Sequence, residues 1–203
     1  MTSIIVQTPH PASKLVLLFH GVGALPENMV PLAKAIADAH PQAAVVSIAS
    51  PDLSDFGGGF QWFSVRDISE DNRAQRIAIA MPRFIVCVQD WQARMQVSAE
   101  ATTLIGFSQG SIMALEATQQ PIILANGVIG LSGRFAQPPR NRPWATVNLI
   151  HGDHDPVIAS VHAENARDQI AGLGGSVTLD VISGLAHSIN KEAVAHVLAH
   201  MAN

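Results

Sequence analysis

From Lys14 to His20 the chain is almost continuously apolar, Lys-Leu-Val-Leu-Leu-Phe-His. Both faces of such a strand must be covered, which predicts a central strand of an α/β sheet. A helix is predicted over about 28–40, where Met29, Leu32, Ala33 and Ile36 share one face. Ala43 to Ile48 is a second apolar run, ended by Ser50-Pro51-Asp52. Thr102 to Ile105, Gly127 to Leu131, Val147 to Ile150 and Val177 to Ile182 read as further strands. Helical patterns cover Glu70 to Gln96, Gln109 to Gln119, Ser160 to Leu173 and Asn190 to Met201. Ser69 is placed to cap the first of these, and Pro82 should kink or split it. The Pro-rich stretch Gln137 to Pro143 reads as a surface loop. Strands alternate with helices throughout, so the expected fold is α/β, a mostly parallel central sheet with helices on both faces.

One segment follows neither period. Leu53 to Asp67 contains Gly57-Gly58-Gly59 and Gln61-Trp62-Phe63-Ser64. Structureless loops of this length are uncommon in compact domains and are often functional. Trp62 and Phe63 are therefore candidates to line a substrate pocket, or else anchors that hold the loop to the core.

Composition narrows the classes. Hydrophobic residues make up 48% and charged residues 14%, against about 25% charged in an ordinary domain. That suits a heavily buried sheet. The 203 residues fit a single domain, and no repeat, low-complexity tract or linker divides them. A net charge of −4 gives no case for nucleic acid or an anionic membrane. Cys87 is the single cysteine, which rules out an intramolecular disulfide and a CxxC zinc site. No Lys or Arg precedes Lys14, and Ile4-Ile5-Val6 is too short for a signal-peptide core. Nowhere do about 18 apolar residues run together, so no membrane span is expected. A cytoplasmic location follows as the expectation.

The chemistry concentrates after strand ends, where ligand sites of such sheets lie. Thr102 to Ile105 leads into Gly106-Phe107-Ser108-Gln109-Gly110, and a helical pattern follows. G-x-S-x-G between a strand and a helix is the context of a nucleophile elbow, where the glycines permit a sharp turn that exposes the serine. The helix-start N–H groups point to where an oxyanion would form. The plainer reading is a glycine-rich turn whose serine caps the helix. Asp155 and His187 also follow predicted strands, and the order Ser108, Asp155, His187 is serine, acid, histidine. A hydroxyl needs a base to become a nucleophile, imidazole suits that task, and a carboxylate fixes its tautomer. His196 and His200 lie inside the last helix and read as surface residues, His151 as structural. His20 is expected to shape the oxyanion loop. Asp153 is expected to close its own turn by bonding nearby backbone N–H groups. Four potential ligands crowd the turn His151, Asp153, His154 and Asp155. They cannot converge on one ion from one turn, so no metal is assigned.

Five stretches occur together and in order: His20-Gly21-Val22-Gly23, Gln61-Trp62-Phe63, Gly106-Phe107-Ser108-Gln109-Gly110, His151-Gly152-Asp153-His154-Asp155-Pro156-Val157 and Gly184-Leu185-Ala186-His187. Taken together they resemble the phospholipase/carboxylesterase family of α/β-hydrolases, which includes bacterial carboxylesterases and acyl-protein thioesterases. The resemblance runs from about Lys14 onward. It implies the α/β-hydrolase fold, Ser108 as nucleophile, Asp155 as acid and His187 as base. It also implies an oxyanion hole made by the backbone N–H groups of Val22 and Gln109. The loop Gly-Val-Gly-Ala-Leu-Pro-Glu-Asn departs from the Gly-Leu-Gly-Asp-Thr-Gly of thioesterase members, which counts against long-chain acyl-protein substrates. The expected activity is hydrolysis of small-molecule carboxylic esters of short to medium acyl chain, without a cofactor, by a monomer or homodimer. A thioesterase using the same triad is the nearest alternative, and a non-catalytic binding member of the fold a more distant one.

Overall fold

The computed structural model describes residues 2–202. In chain order the elements are β1 (Ile4–Gln7), β2 (Lys14–Phe19), α1 (Val30–Ala39), β3 (Ala43–Ile48), β4 (Asp52–Leu53), β5 (Phe60–Gln61), α2 (Glu70–Met95), β6 (Thr102–Phe107), α3 (Gln109–Ala117), β7 (Gly127–Leu131), β8 (Thr146–Gly152), α4 (Val161–Gly172), β9 (Val177–Ile182) and α5 (Lys191–Met201). Seven strands form one sheet in the order β1-β3-β2-β6-β7-β8-β9. Every neighbouring pair is parallel except β1 with β3.

Alternation along the central strands sends side chains into two cores. Leu15, Leu17 and Phe19 of β2 pack with Ile77, Met81 and Phe84 of α2, Met113 and Leu115 of α3 and Ile170 of α4. Val16 and Leu18 point the other way, to Leu32 and Ile36 of α1 and Val197 of α5. Both faces are therefore covered, which is why β2 reads as a continuous apolar run. The α/β-hydrolase expectation holds in this architecture.

Two local expectations are corrected. Of the kink or split expected at Pro82, the split does not occur: α2 runs unbroken from Glu70 to Met95 with Pro82 inside it. Proline deprives the carbonyl four residues earlier of its donor, and that residue, Ala78, is exposed beside the exposed Pro82. Water can replace the lost bond there. The segment from 53 to 67 is not structureless either. β4 and β5 form a short antiparallel hairpin, Asp52 opposite Gln61 and Leu53 opposite Phe60. Gly57 and Gly58 supply the positive φ its turn needs, 75° and 78°.

Candidate active site

The strand-to-helix corner is as tight as the motif requires. β6 ends at Phe107 and α3 starts at Gln109, leaving Ser108 alone at φ 52°, ψ −115°. That is strained backbone for a residue with a Cβ. It is held by Ser108 N–H donating to Leu131 O at 2.9 Å and by Ile112 N–H donating to Ser108 O at 3.0 Å. A Cβ on Gly106 would strike the backbone of Gly110 and Ser111, and one on Gly110 the carbonyls of Phe19 and His20. Both glycines are thus demanded by close backbone contact.

The three residues expected to act together meet. His187 Nε2 lies 2.9 Å from Ser108 Oγ, and its Nδ1 lies 2.7 Å from Asp155 Oδ2. The other carboxylate oxygen, Oδ1, accepts from Val157 N–H at 2.8 Å and Ile158 N–H at 2.9 Å. Burial is the largest influence on Asp155 and opposes its ionisation. The bonds from Ile158 N–H, His187 and Val157 N–H together outweigh it, so the carboxyl pKa is lowered. An ionised carboxylate only accepts. The proton of neutral His187 therefore sits on Nδ1, which leaves Nε2 free to take one from Ser108.

A second imidazole touches the acid. His151 Nε2 donates to Ile158 O at 2.8 Å and lies 3.3 Å from Asp155 Oδ2. Asp153 reaches further than its own turn: its Oδ1 accepts from Gly184 N–H at 2.6 Å and its Oδ2 from Ser183 Oγ at 3.3 Å. It ties the turn after β8 to the loop that carries His187. His154 points to solvent, so the His151 to Asp155 turn diverges. Among the described residues no three His, Cys, Asp or Glu are arranged to hold a metal. His196 and His200 are not free surface residues. Both clasp Asp180, at 3.3 and 2.6 Å.

Val22 and Gln109 flank Ser108 on the wall of one cavity. Neither backbone N–H has an acceptor among the described residues. The Val22 loop is braced on one side by the hairpin, with Gly23 N–H donating to Phe60 O at 2.9 Å and Phe60 N–H to Ala24 O at 3.0 Å. On the other side stands His20, fully buried. Its Nε2 accepts from Ser50 N–H at 3.2 Å, so its proton is on Nδ1, which donates to Gly21 O at 2.7 Å. Burial pushes the His20 pKa down, against the Gly21 bond and Glu27.

Trp62 and Phe63 separate. Trp62 is 1% exposed and its ring packs against Phe19 and Phe84, at 5.6 and 5.2 Å between centroids. It is a core residue and does not line the cavity; its size and hydrophobic ring find a drier place behind the loop. Phe63 does line it. The side chain of Gln109 joins the two, accepting from Trp62 N–H at 2.7 Å and donating to Phe63 O at 2.8 Å.

The cavity measures about 260 Å³. Its walls also include Ile112, Val157, Ile158, Arg73, Arg134 and His162. The last three are missing from the sequence reading. Arg134 follows β7 at the same carboxyl edge as Ser108 and Asp155, and that edge rule was the available signal. Arg73 and His162 come from helices whose facing no motif marks.

A model of the phospholipase/carboxylesterase family matches residues 1–203. Esterase YpfH of Escherichia coli (strain K12) is 44% identical over 97% of this chain and 86% of its own length. The crystal structure of esterase PE8 superposes with a TM-score of 0.90 at 25% identity, covering 99% of this chain and 97% of that one. The Bacillus cereus carboxylesterase does so with a TM-score of 0.81 at 17% identity, covering 98% and 92%.

Proposed function

The chain belongs to the phospholipase/carboxylesterase family, and from that premise we propose that it is a serine esterase cleaving small carboxylic esters through an acyl-enzyme on Ser108. The observation that carries this reading is the continuous path from Ser108 Oγ through His187 to Asp155, with both bonds under 3 Å, at a strained elbow. Ser108 Oγ attacks the ester carbon while its proton passes to His187 Nε2. The carbonyl oxygen becomes an oxyanion facing the N–H groups of Val22 and Gln109. The C–O bond to the alcohol breaks, and the imidazolium returns its proton to the leaving oxygen. Water then repeats the sequence on the acyl-serine and releases the acid. Asp155 holds the Nδ1–H tautomer and balances the imidazolium charge.

At about 260 Å³ the cavity is just below the size of most ligand sites, commonly about 300–1,000 Å³. Short to medium acyl chains suit it. No helix among the described residues is long and apolar enough to cross a membrane, which is compatible with a cytoplasmic setting. The test is a screen of p-nitrophenyl esters against acyl-thioesters at matched chain lengths, with Ser108→Ala as control. Wild type should cleave the short esters best and be labelled by a fluorophosphonate. Ser108→Ala should lose several orders of magnitude, leaving the about 10³–10⁴-fold over water that binding and an oxyanion hole sustain. Equal turnover by mutant and wild type would remove Ser108 from the mechanism. Preference for thioesters would move the activity to thioesterase without moving the triad.

A further inference from the structure

The cavity beside Ser108 is apolar over much of its wall, yet two arginines, Arg73 and Arg134, line it. Arg73 comes from the end of the first turn of α2, Arg134 from the loop after β7. No carboxylate lines the cavity with them. Glu70, which pairs with both, stands outside as a mostly exposed side chain, 64% accessible against 18% for Arg73 and 14% for Arg134.

The two arginines are not equally occupied. Arg134 gives Nη1 and Nη2 to Glu70 in a fork, at 3.0 and 2.8 Å, and Nε to Phe135 O at 3.1 Å. Its Nη1 also lies 3.4 Å from His162 Nε2. Burial, then the nearby Arg134, holds His162 below the usual imidazole range, so at neutral pH it adds no charge and can accept that bond. Arg73 makes one side-chain bond, Nη2 to Glu70 Oε1 at 3.1 Å. Its Nε is buried and has no acceptor. A buried charged donor left unpaired is costly. That enclosed atom is out of a ligand's reach, but Nη1 is neither enclosed nor bonded to any described residue, and it is the donor Arg73 has left to offer the cavity.

We propose that Arg73, backed by Arg134, forms a carboxylate-binding subsite in the cavity, so that the preferred substrates are short esters carrying a free carboxylate on the acyl or the alcohol part. The inference rests on the esterase reading for the scissile bond alone; the anion subsite stands on the arginines. A planar guanidinium with free N–H donors matches a carboxylate in geometry and charge, and the apolar walls exclude competing water.

The experiment compares neutral and anionic esters of equal chain length by proton release: monomethyl glutarate against methyl pentanoate for the acyl side, and carboxymethyl butyrate against ethyl butyrate for the alcohol side. In wild type at least one anionic member should lead its neutral partner by about tenfold or more in kcat/KM, as charge-assisted hydrogen bonds warrant. Arg73→Gln should bring that ratio to near parity, Arg73→Lys should keep part of it, and added salt should shrink it. Parity in wild type overturns the subsite, and so does a preference that survives Arg73→Gln. Calorimetric titration of glutarate into wild type and Arg73→Gln separates the two readings. Binding lost in Arg73→Gln with no ester cleaved leaves the subsite standing and removes the esterase reading. Esters cleaved at parity with no glutarate binding does the reverse.

Discussion

Asp153 and Asp155 sit two residues apart after the same strand, yet their side chains serve different tasks. Sequence position alone barely distinguishes them. Pro156 biases the residue before it toward extended backbone, and Asp155 turns its carboxylate inward, where Oδ1 takes two backbone N–H groups and Oδ2 faces His187. Asp153 instead grips the loop carrying His187 through Gly184 and Ser183. Asp155→Asn should keep the fold and lower kcat by about 10⁴-fold, since an amide in that place favours the wrong tautomer. Asp153→Asn should cost about 1–2 kcal/mol of stability, which lowers Tm by several degrees in a chain of this size. Its kcat should fall far less. Melting temperatures and kcat for both variants are the measurement, and a dead Asp153→Asn beside an active Asp155→Asn would exchange the roles.

Element by element, the central strands and most helices were legible because burial on two faces leaves continuous apolar runs and one-sided helices. Three features were not. β1 is a short edge strand whose burial alternates weakly, and Ile4-Ile5-Val6 alone gives no period to read. The β4–β5 hairpin has only two residues on each strand, too few for any pattern. The loop beyond it is built by polar bonds that periodicity does not report. Asp55 accepts from Ser64 Oγ and Val65 N–H at 2.8 Å, Arg66 N–H at 3.0 Å and Gln61 Nε2 at 3.1 Å. Arg76 of α2 donates to the carbonyls of Ser64 and Arg66. Ser64 and Gln61 lead in pulling the Asp55 carboxyl from 3.8 down to about 2. A lowered carboxyl pKa means that these bonds support the fold above about 3.8 and are lost as pH falls toward about 2. At neutral pH the same network positions Phe63 and the backbone groups that Gln109 grips. Asp55→Ala should therefore lower Tm, since it removes these bonds, and lower kcat/KM by up to about 10²-fold through misplacement. Steady-state kinetics on a fluorophosphonate-titrated enzyme would show it, and unaltered kinetics would free the loop from any part in the site.

Across the whole molecule the catalytic edge is linked to stability through buried imidazole. His20 joins the end of β2 to the start of the loop that carries Val22 and to Ser50 beyond β3, and it does so as the neutral Nδ1–H tautomer. Its pKa lies below the 6.5 of a free imidazole, mainly through burial. The unfolded chain therefore binds a proton at this residue near pH 6.5 that the folded chain refuses. Stability contributed by His20 is complete above that value and is lost as pH falls through it toward the folded pKa. His162 is lowered as well and acts with the same sign. Glu116 acts oppositely. Burial raises its pKa, so its contribution is complete below about 4.5 and is lost as pH rises above it. Below about pH 6.5 the two histidines should dominate, and for His20 the slope has an upper limit of about 1.4 kcal/mol per pH unit. That corresponds to a few degrees of Tm per unit. Melting curves from pH 7.5 down to pH 5 should show Tm falling, and His20→Gln, whatever its starting Tm, should show a flatter fall. Protonating His20 also removes the acceptor for Ser50 N–H, next to the loop that carries Val22. Ester turnover should then decline at low pH in wild type more steeply than in His20→Gln. An equal Tm slope in wild type and His20→Gln would place the acid sensitivity elsewhere in the molecule.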